Sequence, residues 1–430
     1  MSFDQSLLSR RARVLGPAYR LFYDRPLHLV RGRGARVWDA EGREYLDAYN
    51  NVPSVGHCHP RVTAALAAQA QDLNTHTRYL HATVVAYAER LVATFPPGLS
   101  QVMFTCTGSE ANDLALRIAR AVTGAQGIIV TANAYHGVTA ALAEISPALG
   151  ALNPLGPHVR CILAPDSYRA GSPAQAETQF LAALRVAIAD LRDKGHGVAA
   201  LICDTVFASD GLFVDRPGLL NAACAEIRAA GGLFIADEVQ SGLARPGTHM
   251  WAFQCHGVIP DLVTLGKPLG AGHPLAAMVA QPRHLDSFGR ATRYFNTFGG
   301  NPVSASVGLA VLDVIAEEGL MQSARRVGAE LLTGLRDLAG RHQVIGDVRG
   351  AGLYAAVELV TDRASKTPAT AAVDRLVNLM REAGVLVGTC GKAGNCVKVR
   401  PPLCFTQDDA GRFLDVFDRC LAQVDLSGAV

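Results

Sequence analysis

The sequence predicts an α/β protein with a large lobe, built on a mostly parallel sheet between helices, and a smaller α+β lobe. Three observations predict it. At 430 residues the chain exceeds the roughly 250–300 residues at which a single core stops growing, so more than one lobe is expected. From about residue 61 to about 305, short apolar runs alternate with amphipathic helical patterns, as in a parallel sheet covered on both faces. From about 306 the pattern becomes a long helix, a glycine-rich strand region, another helix and a final strand.

In chain order, residues 1–60 read as a helix and a small sheet, with strands at 36–39 and 44–47 around the turn Ala40-Glu41-Gly42-Arg43. The segment is too short for a domain and is expected to complete the C-terminal lobe, 306–430. Between them, 61–305 carries candidate strands at 102–105, 127–131, 199–203, 233–236, 262–265 and 276–279. The smaller lobe carries a strand region at 345–359 and a last strand at 397–399.

Composition narrows the function. With 49% apolar and 18% charged residues the chain is a well-buried globular protein rather than a disordered one. A net charge of +2 and the lack of basic runs interleaved with aromatics argue against nucleic acid. No apolar stretch approaches the ~18 residues of a membrane span. Arg10, Arg11 and Arg13 precede no apolar stretch, so no secretory signal is read. Ten dispersed cysteines, mostly inside apolar segments, read as buried thiols in a reducing cytoplasm. His57-Cys58-His59 is not read as a metal site. Neighbours on an extended segment face opposite ways, and no second ligand pair follows at metal spacing.

The chemistry enters at two strand ends. Leu233-Phe234-Ile235-Ala236 runs into Asp237, and Leu262-Val263-Thr264-Leu265 runs through Gly266 into Lys267. Lysine is scarce, five against thirty-five arginines, in a chain that otherwise writes its cations as arginine. An amine that can lose its proton can condense with an aldehyde, which a guanidinium cannot. Open α/β sheets bind ligands beyond the carboxyl ends of their strands, so Asp237 and Lys267 are expected to face one pocket. A carboxylate that keeps a pyridine nitrogen protonated and a neutral lysine are the two groups a pyridoxal cofactor requires. Taken singly, Asp237 also reads as a helix cap and Lys267 as a surface lysine.

Thr107-Gly108-Ser109-Glu110-Ala111-Asn112 lies between a strand and an amphipathic helix whose apolar face is Ala111, Leu114, Ala115, Ile118, Ala119 and Val122. Gly108 admits close approach and Ser109 opens a helix whose free N–H groups attract an anion, a phosphate site or an ordinary cap. Tyr135, in Ala134-Tyr135-His136-Gly137, follows another strand and is placed to stack on a flat heterocycle or to fill core. Val239 and Gln240 follow Asp237, offering an apolar contact for the other ring face and an amide for a ring hydroxyl.

With these residues in hand, nearly the whole chain resembles the class III (omega-type) aminotransferases of pyridoxal phosphate fold type I. The resemblance implies Lys267 as the Schiff-base lysine and Asp237 as partner of the pyridine nitrogen. It implies Gly108 and Ser109 as the phosphate cup, Tyr135 and Val239 on the two ring faces, and Gln240 near the phenolic oxygen. Thr297, in Tyr294-Phe295-Asn296-Thr297-Phe298-Gly299-Gly300-Asn301-Pro302, resembles the threonine that reaches the phosphate of the neighbouring subunit, which implies a homodimer with shared sites. Arg400 matches the arginine that grips a substrate carboxylate in many members. One departure is Asp204-Thr205 where the family usually has Glu-Pro.

Several stretches are similar to the ethanolamine-phosphate and hydroxylysine-phosphate phospho-lyases. They are Tyr49-Asn50-Asn51-Val52, Thr75-His76-Thr77-Arg78-Tyr79-Leu80-His81, Glu144-Ile145-Ser146-Pro147, Lys366-Thr367-Pro368-Ala369-Thr370 and Pro401-Pro402-Leu403-Cys404-Phe405-Thr406. Alanine–glyoxylate aminotransferases share fewer of them. The resemblance implies amino transfer from a small amine or amino acid to a 2-oxo acid, with phosphate elimination from a phosphorylated amino alcohol as the alternative. The outcome depends on where anions are held, and Arg78, Lys392, Lys398 and Arg400 are the candidates. Lys398 and Arg400 alternate on one strand and are expected to share a face.

Overall fold

The computed structural model describes residues 3–424. After the helix Phe3–Val14, strands β1 (Leu29–Arg33), β2 (Arg36–Asp39) and β3 (Glu44–Asp47) form an antiparallel meander.

The central sheet has seven strands: β4 (Gln101–Thr105), β5 (Ile128–Thr131), β6 (Val159–Ile162), β7 (Ala200–Asp204), β8 (Leu233–Asp237), β9 (Leu262–Leu265) and β10 (Ala276–Ala280). Their order is β4-β10-β9-β8-β7-β5-β6. From β6 to β9 every pairing is parallel, whereas β10 runs antiparallel to both β9 and β4. Every residue of β5, β8, β9 and β10 is buried, as expected of strands covered on both faces. The sequence reading missed β6, a sheet-edge strand in which Arg160 is half-buried and Cys161 exposed. With two of its four residues not buried, it lacks the unbroken apolar run that marks a buried strand.

The expected strand region at 345–359 is two strands, β11 (Ile345–Gly350) and β12 (Ala355–Asp362), paired antiparallel. The short β13 (Thr367–Pro368) adds to β12. Next come β14 (Val385–Leu386), β15 (Gly388–Cys390) and β16 (Cys396–Val399), the sheet order being β11-β12-β16-β15. The strand β14 instead pairs in parallel with β3, Leu46 opposite Val385. The Arg400 N–H also donates to the Ala48 carbonyl at 2.8 Å, so the N-terminal meander is stitched to the C-terminal strands.

Two expectations need correction. All ten cysteines are free, but only Cys203, Cys224, Cys390, Cys396 and Cys420 are buried, while Cys58 and Cys161 are exposed. The 57–59 segment is not extended either, since Cys58 has a φ of 51°. His57 there pairs with Asp47 at 2.7 Å and His59 with Glu318 at 3.0 Å.

Candidate active site

The parallel strands deliver their last residues to one edge. Register places Asp204 of β7 beside Asp237 of β8, and Asp237 beside Thr264 of β9. A cavity of about 330 Å³ opens there, lined by Gly108, Ser109, Tyr135, Asp204, Asp237, Val239, Gln240 and Lys267, among others.

Asp237 is the most elaborately held. Its Oδ1 accepts the Val239 N–H at 3.0 Å. Its Oδ2 accepts from Asn112 Nδ2 at 2.9 Å and from His136 Nδ1 at 2.7 Å. Behind them Thr264 Oγ1 donates to Asn112 Oδ1 at 2.5 Å, so the carboxylate rests on a chain of oriented dipoles. Sequence reasoning missed Asn112 and Thr264 in this role and did not assign His136. The available signal was Asn112, a polar side chain buried on an otherwise apolar helix face. The next residue, Glu238, is fully buried and its carboxyl is pushed up to about 7 by that burial. It accepts the Ala252 and Phe253 N–H groups at 2.8 and 2.7 Å, tying the strand end to the following loop.

The helix Gly108–Thr123 begins at the opposite wall. Thr107 caps it, its Oγ1 accepting the Glu110 N–H at 3.1 Å while Glu110 Oε2 accepts the N–H of Thr107 at 2.9 Å. The first helical N–H groups, on Gly108 and Ser109, have no intrahelical acceptor and are available to an anion. Gly108 is required here: a Cβ on it would stand 2.7 Å from Val239 Cγ1. Ser109 Oγ accepts the Val138 N–H at 3.2 Å, which orients the hydroxyl. Tyr135 is partly exposed, and burial, with Asp237 nearby, raises its phenol.

Burial lowers the pKa of the Lys267 ammonium, Arg400 lowers it further, and Asp237 and Asp204 oppose them. The free amine is therefore more accessible than on a surface lysine. Asp204 accepts the N–H groups of Val206 and Ala208 at 3.0 and 3.2 Å. Burial and neighbouring Asp237 push its carboxyl up to about 6.

Two further cations stand near Lys267, although neither is among the residues that line the cleft. Lys398 is buried, and burial, then Arg400, lowers its ammonium to about 8. Arg400 is buried too. Its Nε donates to the Tyr49 carbonyl at 3.0 Å, its Nη1 donates to Gln240 Oε1, and its guanidinium stacks 4.9 Å from the Tyr49 ring. The Gln240 carbonyl oxygen is thus engaged, leaving its NH₂ as the group free to donate.

The other anion candidates lie elsewhere in the single chain. Lys392 borders a separate cavity. Arg78 lies 3.9 Å over the Phe295 ring and does not line the cleft, and Thr297 is exposed on the same loop as Phe295.

The cavity suits a flat heterocycle carrying a basic ring nitrogen, an anionic arm and an aldehyde. It pairs a buried, donor-supported carboxylate with a lysine of lowered pKa, a glycine-floored helix N-terminus and an apolar methyl pair. The model of the family Aminotransferase class-III matches residues 22–421. Alanine–glyoxylate aminotransferase 2 homolog 2, mitochondrial, of Arabidopsis thaliana is 41% identical over 424 residues, 97% of this chain and 87% of that protein. Ethanolamine-phosphate phospho-lyase homolog 1 of Caenorhabditis elegans is 33% identical over 436 residues, 97% of this chain and 93% of that one. The solved structure of a phospholyase from Arthrobacter in complex with phosphoethanolamine has a TM-score of 0.94 at 44% identity, covering 97% of this chain and all of that one.

Proposed function

The chain belongs to the class III aminotransferases, and from that premise we propose that this pyridoxal phosphate-dependent enzyme expels phosphate from a small phosphorylated amino alcohol. The observation that carries the reading is the buried cation pair Lys398 and Arg400, electrostatically coupled to Lys267. A substrate carboxylate needs one such fork, whereas a departing phosphate dianion calls for more than one positive group. Similarity to the Arthrobacter structure supports it.

Gly108 and Ser109 hold the cofactor phosphate in this reading, Tyr135 and Val239 bracket the ring, and Gln240 donates toward the phenolic oxygen. When bound, pyridoxal phosphate supplies an electron sink. Asp237 keeps a negative charge beside the ring nitrogen and so keeps it protonated. Lys267, as free amine, takes the proton from the carbon that bears nitrogen. The C–O bond on the adjacent carbon then breaks, and phosphate departs toward Lys398 and Arg400. Water entering the released enamine yields an aldehyde and ammonia.

Amino transfer to a 2-oxo acid is the second reading. Transamination predominates in the wider class, and the 41% identity to the Arabidopsis protein supports it, with Arg400 then gripping a carboxylate. We further read the molecule as a homodimer. Thr297, beside the exposed Phe298, would serve the partner's phosphate. Arg78, against Phe295, would face the same way. Residues 61–305 are read as the cofactor domain, and 1–60 with 306–430 as the second, on the strength of the β3–β14 pairing. The ten free thiols support a reducing compartment such as the cytoplasm. Among the described residues no helix is long and apolar enough to cross a membrane.

The deciding experiment incubates holoenzyme with phosphoethanolamine alone and, separately, with candidate amines plus pyruvate. Phosphate release without an acceptor is expected. Alanine formation with no phosphate release overturns the reading in favour of amino transfer.

A further inference from the structure

A second cavity, of about 710 Å³, lies between the helix Pro173–Asp193 and the sheet β11-β12-β16-β15. Gly391 and Cys396 form part of its wall. Cys396 stands directly opposite Cys390 in the antiparallel β15–β16 pair, and both are free thiols. Opposed residues in such a ladder share a face, with Cβ atoms ~4.5–5.5 Å apart, a little beyond the ~3.5–4.5 Å a disulfide spans. Cys396 opposite it, with Lys398, Arg349 and Arg400 near, lowers the Cys390 thiol to about 7 against the pull of burial. Arg349 Nη2 donates to Cys396 Sγ at 3.4 Å. Lys398 follows Cys396 by two residues, on the same face of β16.

We propose that Cys390 and Cys396 close reversibly into a disulfide when a hydroperoxide enters the larger cavity, and that closure weakens anion binding at Lys398. The Cys396 sulfur, which lines that cavity, attacks one peroxide oxygen and the O–O bond breaks, giving a sulfenic acid and releasing water or an alcohol. The Cys390 sulfur, opposite it in the ladder, then attacks the sulfenic sulfur, the S–O bond breaks, and water leaves. Two thiols lose two electrons and the peroxide gains them. A dithiol reductant reverses the change.

The link to Lys398 is electrostatic. Negative charge on Cys390 favours the charged ammonium of Lys398. A disulfide carries no charge, so Lys398 gives up its proton more readily and holds a phosphate less firmly. This second half rests on the reading of Lys398 as an anion-binding group; disulfide formation does not.

The test treats holoenzyme with hydrogen peroxide, alkylates the remaining thiols and digests with trypsin. Cleavage after Arg381, Lys392 and Lys398 places Cys390 and Cys396 on separate peptides, 382–392 and 393–398. The expected result is that these two peptides appear joined before any other cysteine pair is linked. Affinity for inorganic phosphate, measured by calorimetry, should fall several-fold on oxidation and return with dithiothreitol. Cys396→Ser should start at wild-type affinity and show no such reversible loss. Recovery of the two peptides unlinked while other cysteines oxidise overturns the proposal, as does linkage with unchanged phosphate affinity. Lys398→Met separates the two readings: unchanged phosphate affinity in that variant sinks the anion assignment and leaves the disulfide mapping untouched.

Discussion

Replacing Gly108 with alanine tests the cofactor cradle at its tightest point. The new Cβ would stand 2.7 Å from Val239 Cγ1 and 2.9 Å from Cγ2. Ordinary carbon contacts lie at about 3.5–4.0 Å, so roughly 1 Å must be found. Val239 has little room to give way. A Cβ on Gly266 would stand only 3.0 Å from Val239 Cγ1, so the valine is wedged between two glycines. Its backbone N–H is also tied to Asp237 at 3.0 Å. Overpacking of this kind costs about 1–3 kcal/mol. If that cost falls on the bound state, the dissociation constant for pyridoxal phosphate rises roughly 5- to 150-fold, at ~1.4 kcal/mol per tenfold. The assay titrates cofactor into apoprotein, following absorbance, with circular dichroism to show that the fold is retained. Val239→Ala removes the offending methyls, so the double variant should recover most of the lost affinity and give a favourable coupling of about 1 kcal/mol or more. Binding by Gly108→Ala within twofold of wild type, or a double variant no better than the glycine change alone, would refute the cradle as described.

Lys267→Ala should abolish turnover yet still bind cofactor non-covalently; borohydride reduction of the wild type followed by peptide mapping should label Lys267, and label on another lysine moves the assignment. Asp237→Asn should keep cofactor but raise the barrier by about 3 kcal/mol, a hundredfold loss in kcat; near-wild-type turnover would place the pyridine partner elsewhere. Because the Lys398 ammonium is lowered to about 8, its charge is present below that pH and lost above it. The KM for a phosphorylated substrate should therefore be flat near neutrality and climb as pH passes 8, whereas Lys398→Arg should move the climb to higher pH; identical profiles would remove Lys398 from the site. Subunit exchange between inactive Lys267 and Thr297 variants should restore activity through hybrids with one intact composite site, and no recovery despite confirmed exchange would confine Thr297 to its own chain.

The sequence made the strand ends legible because β8 is an apolar run ending in Asp237 and β9, apolar but for Thr264, runs through Gly266 into Lys267. Direction was not legible. Ala276–Ala280 reads as a strand whichever way it runs, and only pairing with β4 and β9 reveals it as antiparallel. Asp237 could be named from its position, but its supports could not. Asn112, His136 and Thr264 come from three separate segments and meet only once the sheet forms. Lys398 and Arg400 were legible as alternating cations. The contact between Arg400 and Gln240 was not, because it joins segments that follow strands of two different sheets, β8 and β16. Arg78 and Thr297 lie on surface loops, where motif resemblance gave a role that no contact within one chain carries.

The stitching of β3 to β14 and of Ala48 to Arg400 bears on when the site comes into being. Tyr49 and Asn51 leave the ribosome early but dock against partners made much later, Gln240 midway along the chain and Arg400 near its end. Asn51 Nδ2 reaches the Gln240 carbonyl at 3.2 Å, and Tyr49 receives Arg400. Contacts between such distant segments form slowly, since loop closure must precede any reward. The strands that carry Asp237 and Lys267 are complete in a nascent chain well before Arg400 exists. On the roles proposed above, such a chain carries its cofactor-facing residues before it carries Arg400, so the substrate end would be the last part of the site to form.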